Sequence, residues 1–155
     1  ADLDVTGVSL GWITLTKGGR DDPALCFEEW PWQVAQPIGE TMARRAQAVT
    51  WACLSDEGLL ARRWRIAPNV DSETTGRPGA TDPEHVVLRQ RRGLCRAVEM
   101  TTASGGVLGA CDGELTLAQI TDAVSAILEV DHDALLIEVL PLVRECLRYG
   151  ILETA

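Results

Sequence analysis

The chain has 155 residues, of which 46% are hydrophobic and 24% charged, and its formal net charge is −9. That length suits one domain or two small ones and allows a sizeable core. The acidic balance argues against a general nucleic-acid binder, which needs basic surface.

Val8 to Thr16 reads as a strand: Val8, Leu10 and Trp12 alternate with Ser9 and Gly11. Lys17 to Pro23 reads as a linker, and Leu25 to Trp30 as a short strand before an irregular stretch between Pro31 and Pro37. A helix is expected from Pro37, with Ile38, Met42, Ala46, Val49 and Cys53 on one face. Ser55-Asp56-Glu57-Gly58 breaks it, and Leu59-Leu60 adds a short turn. Trp64, Ile66 and Val70 alternate with Arg63, Arg65 and Asn69, which predicts a strand. Asp71 to Pro83 reads as a long loop. Glu84 to Gln90 and Leu94 to Thr101 read as two strands, with Arg91-Arg92-Gly93 as their hairpin turn.

The last third reads as helical. Ala103 to Ala110 holds three glycines, and only a short, tightly packed helix suits it. Cys111-Asp112-Gly113 reads as a turn. Thr116 with Gln119 matches a capping box, and Leu115 can staple onto Ile120. Leu117, Ile120, Val124, Ile127 and Leu128 give the expected stripe of that helix. Asp131 or Asp133 caps the next helix, whose stripe is Leu136, Val139, Leu140, Val143 and Leu147. Pro141 is expected to kink it, Arg144 and Arg148 to favour its C-terminal dipole, and Gly150 to stop it. Ile151 to Glu153 adds a short strand. Three helices and a terminal strand predict a winged-helix-like unit from Thr102 to the end. The fold class expected is α+β: a small antiparallel sheet with helices and that C-terminal unit.

No apolar run approaches the length of a membrane helix, and no signal peptide is visible, so no membrane partner is expected. The start at Ala1-Asp2-Leu3-Asp4 fits a piece of a larger protein, though removal of an initiator Met alone would produce it. The five cysteines are odd in number, widely spaced and free of CxxC, which favours a reducing, cytoplasmic setting over a disulfide framework. Cys53, Cys95 and Cys111 sit among apolar neighbours and read as small buried hydrophobes, so no metal site is expected. The charge is uneven: ten Arg face six acids from Arg44 to Arg96, and nine acids face two Arg from Asp112 onward. The two parts either pair with each other or face different partners.

Few constellations carry chemistry. His85, in Asp82-Pro83-Glu84-His85, has the company of a general base or ligand, but a His opening a strand more often meets local backbone or water. His132, between Asp131 and Asp133, reads as an exposed His beside a helix cap. Ser104-Gly105-Gly106 with Gly109 lacks the Lys of a phosphate loop, so close packing explains it better. Arg89, Arg91, Arg92 and Arg96 form a basic hairpin, which would contact a nucleic-acid backbone or pair with the acidic tail. Trp30 and Trp32, beside prolines, are candidates for a domain interface. No nucleophile–base arrangement and no G-x-G-x-x-G is present.

Gly7 to Leu15 resembles the closing strand of class I methyltransferases that modify glutamine in release factors or act on RNA. Glu28-Glu29-Trp30-Pro31 and Gly76-Arg77-Pro78-Gly79-Ala80-Thr81-Asp82-Pro83-Glu84-His85 resemble the C-terminal extension of actinobacterial S-adenosylmethionine-dependent methyltransferases. Gly109-Ala110-Cys111-Asp112-Gly113-Glu114-Leu115-Thr116, followed by Ile120 and Tyr149-Gly150-Ile151-Leu152, resembles the winged-helix end of that extension. The same end is similar to the small winged-helix peptide chaperone of the pyrroloquinoline quinone pathway.

The resemblance implies that residues 1–20 are the last strand of an absent methyltransferase domain plus a linker, 21–101 an α+β region and 102–155 a winged-helix-like region. The family's glycine-rich cofactor loop and its Asn-Pro-Pro-Tyr-type motif are both missing, so no catalytic, cofactor-binding or metal residue carries over. S-adenosylmethionine is implied for the full-length parent alone. The implied role is a non-catalytic accessory domain, partnered by the parent's catalytic domain and by an RNA or protein substrate. The contact candidates are Arg89, Arg91, Arg92, Arg96, His85, Trp30 and Trp32. A second reading is a peptide- or protein-binding winged helix that offers a strand edge or the Thr116 and Asp133 helices. A third is a nucleic-acid reader through the Arg89–Arg96 hairpin.

Overall fold

The computed structural model describes residues 6–7, 11–15, 17, 25–32, 34–79, 83 and 85–155. Among them the fold is α+β, with five helices and two three-stranded antiparallel sheets. The elements are α1 (Gly39–Ala52), α2 (Asp56–Leu60), β1 (Arg63–Ile66), β2 (Val70–Thr75), β3 (His85–Gln90), β4 (Ala97–Met100), α3 (Thr102–Gly109), β5 (Asp112–Thr116), α4 (Leu117–Leu128), α5 (His132–Tyr149) and β6 (Leu152–Thr154).

The first sheet has the order β5-β1-β6. Its middle strand therefore comes from upstream of the three helices α3, α4 and α5, while both outer strands come from among or after them. Trp64 lies opposite Thr154 and Ile66 opposite Leu152, so the alternation of β1 puts Trp64 into the core and Arg63 and Arg65 outside. Trp64 is fully buried, donates its indole N–H to the Leu59 carbonyl at 3.0 Å, and meets the Trp51 ring edge-on at 6.5 Å. Arg65 pairs with its cross-strand neighbour Glu153 at 2.7 Å.

The second sheet has the order β2-β3-β4. Its inner face carries Val86, Leu88 and Gln90 of β3 against Val98 and Met100 of β4. Buried Gln90 ties this sheet to α5. Its amide nitrogen donates to the Tyr149 and Gly150 carbonyls at 2.7 and 3.1 Å, and its oxygen accepts from the Arg96 backbone N–H. It thus satisfies carbonyls that the helix end leaves open.

The strongest helix signals hold. Thr116 and Gln119 form the capping box of α4, Asp131 caps α5 through the Ala134 N–H, and Gly150 ends α5 with φ +71°. Val139, Leu140, Val143 and Leu147 are buried as expected, with Leu135 and Cys146 beside them.

Several expectations are corrected. Asp71 to Thr75 is strand, not loop: Val70 to Thr75 pair in unbroken register with Gln90 to His85. Cys111-Asp112-Gly113 is not a free turn but leads into β5, with Asp112 opposite Arg65. The buried face of α1 is Ala48 and Ala52, with Trp51 half-buried, while Cys53 is exposed. The stripe of α4 stops at Val124, and Ile127, Leu128 and Leu115 are exposed. Leu25 to Trp30 forms no strand, and neither does the described part of the first expected strand, residues 11–15; Val8, Ser9, Leu10 and Thr16 lie outside the described residues. The connection between β3 and β4 is longer than a three-residue turn. It includes Gly93, at φ +74°, whose close approach to Thr41 leaves no room for a side chain.

Gln90→Leu keeps the volume but leaves two helix-end carbonyls without a donor. Urea unfolding should show a loss of about 1–3 kcal/mol, and an unchanged midpoint would contradict the tie.

Candidate interaction surface

The outer face of the β2-β3-β4 sheet is a lattice of opposite charges. Register places Asp71 opposite Arg89, Glu73 opposite Val87, and Glu99 opposite Val87 on the other side. Arg89 reaches diagonally to Glu73 at 2.9 Å, Arg91 to Asp71 at 3.1 Å, and His85 Nδ1 to Glu99 at 2.5 Å. Arg91 also donates to the Pro68 carbonyl at 3.1 Å. Of the predicted basic hairpin, Arg89 and Arg91 are thus neutralised locally, and Arg92 is exposed with no ion pair to a described residue. The partners are β2 acids, not the acidic tail, because β2 lies alongside β3.

Arg96 is elsewhere. Its side chain is 5% exposed and lies between two rings, 4.5 Å from the Trp30 centroid and 4.2 Å from that of Tyr149. Its guanidinium pairs with Glu28, whose carboxylate also takes an ion pair from Arg45 of α1 at 2.6 Å. Burial alone would raise the Glu28 pKa, but hydrogen bonds and charge from Arg96 and Arg45 outweigh it and hold the carboxyl below its usual range. Burial likewise acts to lower the Arg45 pKa, and Glu28 and Cys26 outweigh it, so the net direction is upward. Trp30 is half-buried and Trp32 is 70% exposed. The sequence signals brought Arg96 and Trp30 to notice separately, and the structure joins them with Glu28, Arg45 and Tyr149, which those signals missed.

Beneath the sheet, a cleft of about 190 Å³ opens among Ile66, Ser72, Val86, Met100, Thr101 and Gly105, among others. Among the described residues, its lining carries no charged side chain. Cys111 and Cys146 are buried, and burial pushes both thiols up to about 12, so they are poor nucleophiles. His132 opens α5, with Nε2 3.1 Å from an Asp122 oxygen but not aligned for a hydrogen bond. Among the described residues, no group of three or more His, Cys, Asp or Glu could hold a metal ion. No described helix is long and apolar enough to cross a membrane.

No family model, curated protein or solved structure matches the chain. The surface must therefore be read from its own chemistry.

The lowered Glu28 pKa sets a pH dependence. Its contribution is complete above the ordinary carboxylate range and is lost as pH falls through the lowered value. The groups facing it are Arg45, Arg96, Cys26 and Tyr149. Wild type and Glu28→Gln should therefore differ in urea-unfolding stability by on the order of 1 kcal/mol near neutrality. The two curves should converge on acidification, and a gap that does not vary with pH would contradict the assignment.

Proposed function

We propose that the chain is a non-catalytic binding module, the C-terminal accessory domain of an S-adenosylmethionine-dependent methyltransferase, which positions a macromolecular substrate for a catalytic domain elsewhere. The observation that carries this reading is the segment 11–15. Trp12, Ile13 and Leu15 are 56, 90 and 91% exposed, and no described residue outside the segment shares a backbone hydrogen bond with it. Apolar and β-branched residues in such a run gain stability by joining a sheet. The resemblance of Gly7 to Leu15 to a methyltransferase closing strand supplies the sheet it would join.

The module's contribution is orientation. Contacts remote from the reacting atom raise the rate by holding the substrate in place. On this reading S-adenosylmethionine belongs to the parent's catalytic domain and not to this module. The cleft of about 190 Å³ is smaller than common cofactor sites, and its described lining residues include no acid for a ribose, which supports that reading. No chemical step is therefore assigned to this chain. The pairing of Arg89 and Arg91 with β2 acids, and the burial of Arg96, favour a protein substrate over RNA. The free thiols suit a reducing compartment such as the cytoplasm.

A second reading omits methyl transfer and keeps the binding role. It is favoured by β2, an edge strand whose residues Asp71 to Thr75 are all exposed and could accept an added peptide strand.

Calorimetric titration of S-adenosylmethionine into this chain should show no binding, and one-to-one binding would overturn the accessory reading. Binding of an RNA oligonucleotide should be undetectable at physiological salt. Salt-sensitive RNA binding that disappears in the Arg91→Glu, Arg92→Glu double variant would instead assign the β3–β4 connection to nucleic acid.

A further inference from the structure

The Glu28–Trp30 contact has the form of a ligand seated in a built site. Three regions of the folded frame converge on it: Arg45 from α1, Arg96 from the β3–β4 connection, and Tyr149 from the end of α5. Both guanidinium groups close on one carboxylate oxygen, Oε2 of Glu28. Trp30, two residues on, lies against the Arg96 guanidinium, as does Tyr149. A buried guanidinium without an anion is strongly unfavourable, so this cradle requires a carboxylate.

The segment that supplies the carboxylate is weakly held. Residues 25–30 form no helix or strand, and Leu25, Phe27 and Trp32 point their apolar side chains into solvent. The Trp30 indole N–H is buried with no hydrogen-bond partner among the described residues, which costs stability. The cradle is thus well formed, while its occupant satisfies it incompletely.

We propose that Arg45, Arg96 and Tyr149 form a peptide-binding site for a carboxylate followed two residues later by an aromatic side chain, and that Glu28 and Trp30 hold this site closed in cis. A partner segment of the same chemistry, able to satisfy the indole or its equivalent, displaces the strap. The strap competes at the high effective concentration of a tethered ligand, so the site is latent until a partner arrives. This inference is independent of the methyltransferase reading, since it rests on the cradle alone.

The test uses the whole chain and a fluorescently labelled synthetic peptide of residues 25–32, followed by anisotropy under reducing conditions. The Glu28→Gln, Trp30→Ala variant, which empties the cradle, should bind the peptide at least about tenfold more tightly than wild type. Adding Arg45→Gln to that variant should abolish the gain, and so should a peptide in which both glutamates are replaced by glutamine. Circular dichroism checks folding, and if the double variant fails to fold, Glu28→Gln alone is used with the same expectation. A folded, opened variant that ignores the peptide overturns the proposal and leaves the cluster as a clamp for the fold. Equal binding to wild type and variant, indifferent to Arg45→Gln, overturns it as well.

Discussion

The fold depends on one strand pairing across a long stretch of chain. β1 lies between β5 and β6, so the C-terminal helices close their sheet only by taking in Arg63–Ile66. Trp64 carries the consequence inward, where it packs with Leu59, Leu117 and Ile151 in the same buried cluster. The Leu117 N–H donates to the Arg62 carbonyl, and the Ala67 N–H to the Ile151 carbonyl, so both ends of β1 are stitched to the C-terminal region. The buried cluster therefore takes residues from both sides of residue 102, where the winged-helix-like region was expected to begin. Buried Gln90 extends the same dependence to the second sheet by joining it to the end of α5.

That arrangement determines where function can sit. The core side of the sheets is packed except at the cleft beneath β2-β3-β4, and the outer face of β2-β3-β4 is neutralised by its own ion pairs. Among the described residues, three features stay on the surface: the edge strand β2, the apolar run 11–15, and the Glu28–Trp30 segment over Arg96. They offer backbone groups for pairing, apolar surface and a charge-matched cradle, the chemistry on which the proposed binding role rests.

Elements with a local cause were legible in the sequence. Thr116 with Gln119, Asp131 and Gly150 act within a single helical turn, so the sequence placed the start of α4 and the end of α5 and narrowed the cap of α5 to Asp131 or Asp133. β1, β3 and β4 were visible because one face of each is apolar. β2 was missed because Val-Asp-Ser-Glu-Thr-Thr has almost no buried face, and pairing with β3 makes it a strand. β5 was missed for a similar reason. The face of α1 was misjudged because Ala48 and Ala52 bury little area and look neutral, although small residues suit its packing against α5. Arg96 read as surface because burial of an arginine depends on Glu28, 68 positions away, and on two rings that only the fold assembles.

The measurement that bears most directly on the account is amide hydrogen exchange along the whole chain in solution. A segment that awaits a sheet outside the chain should exchange over 11–15 at close to unstructured rates, while Trp64 and Ile66 in β1 exchange only with global unfolding. Slow exchange over 11–15 in the isolated chain would show that the segment is already paired, and would remove the ground for reading this protein as a module completed by a partner.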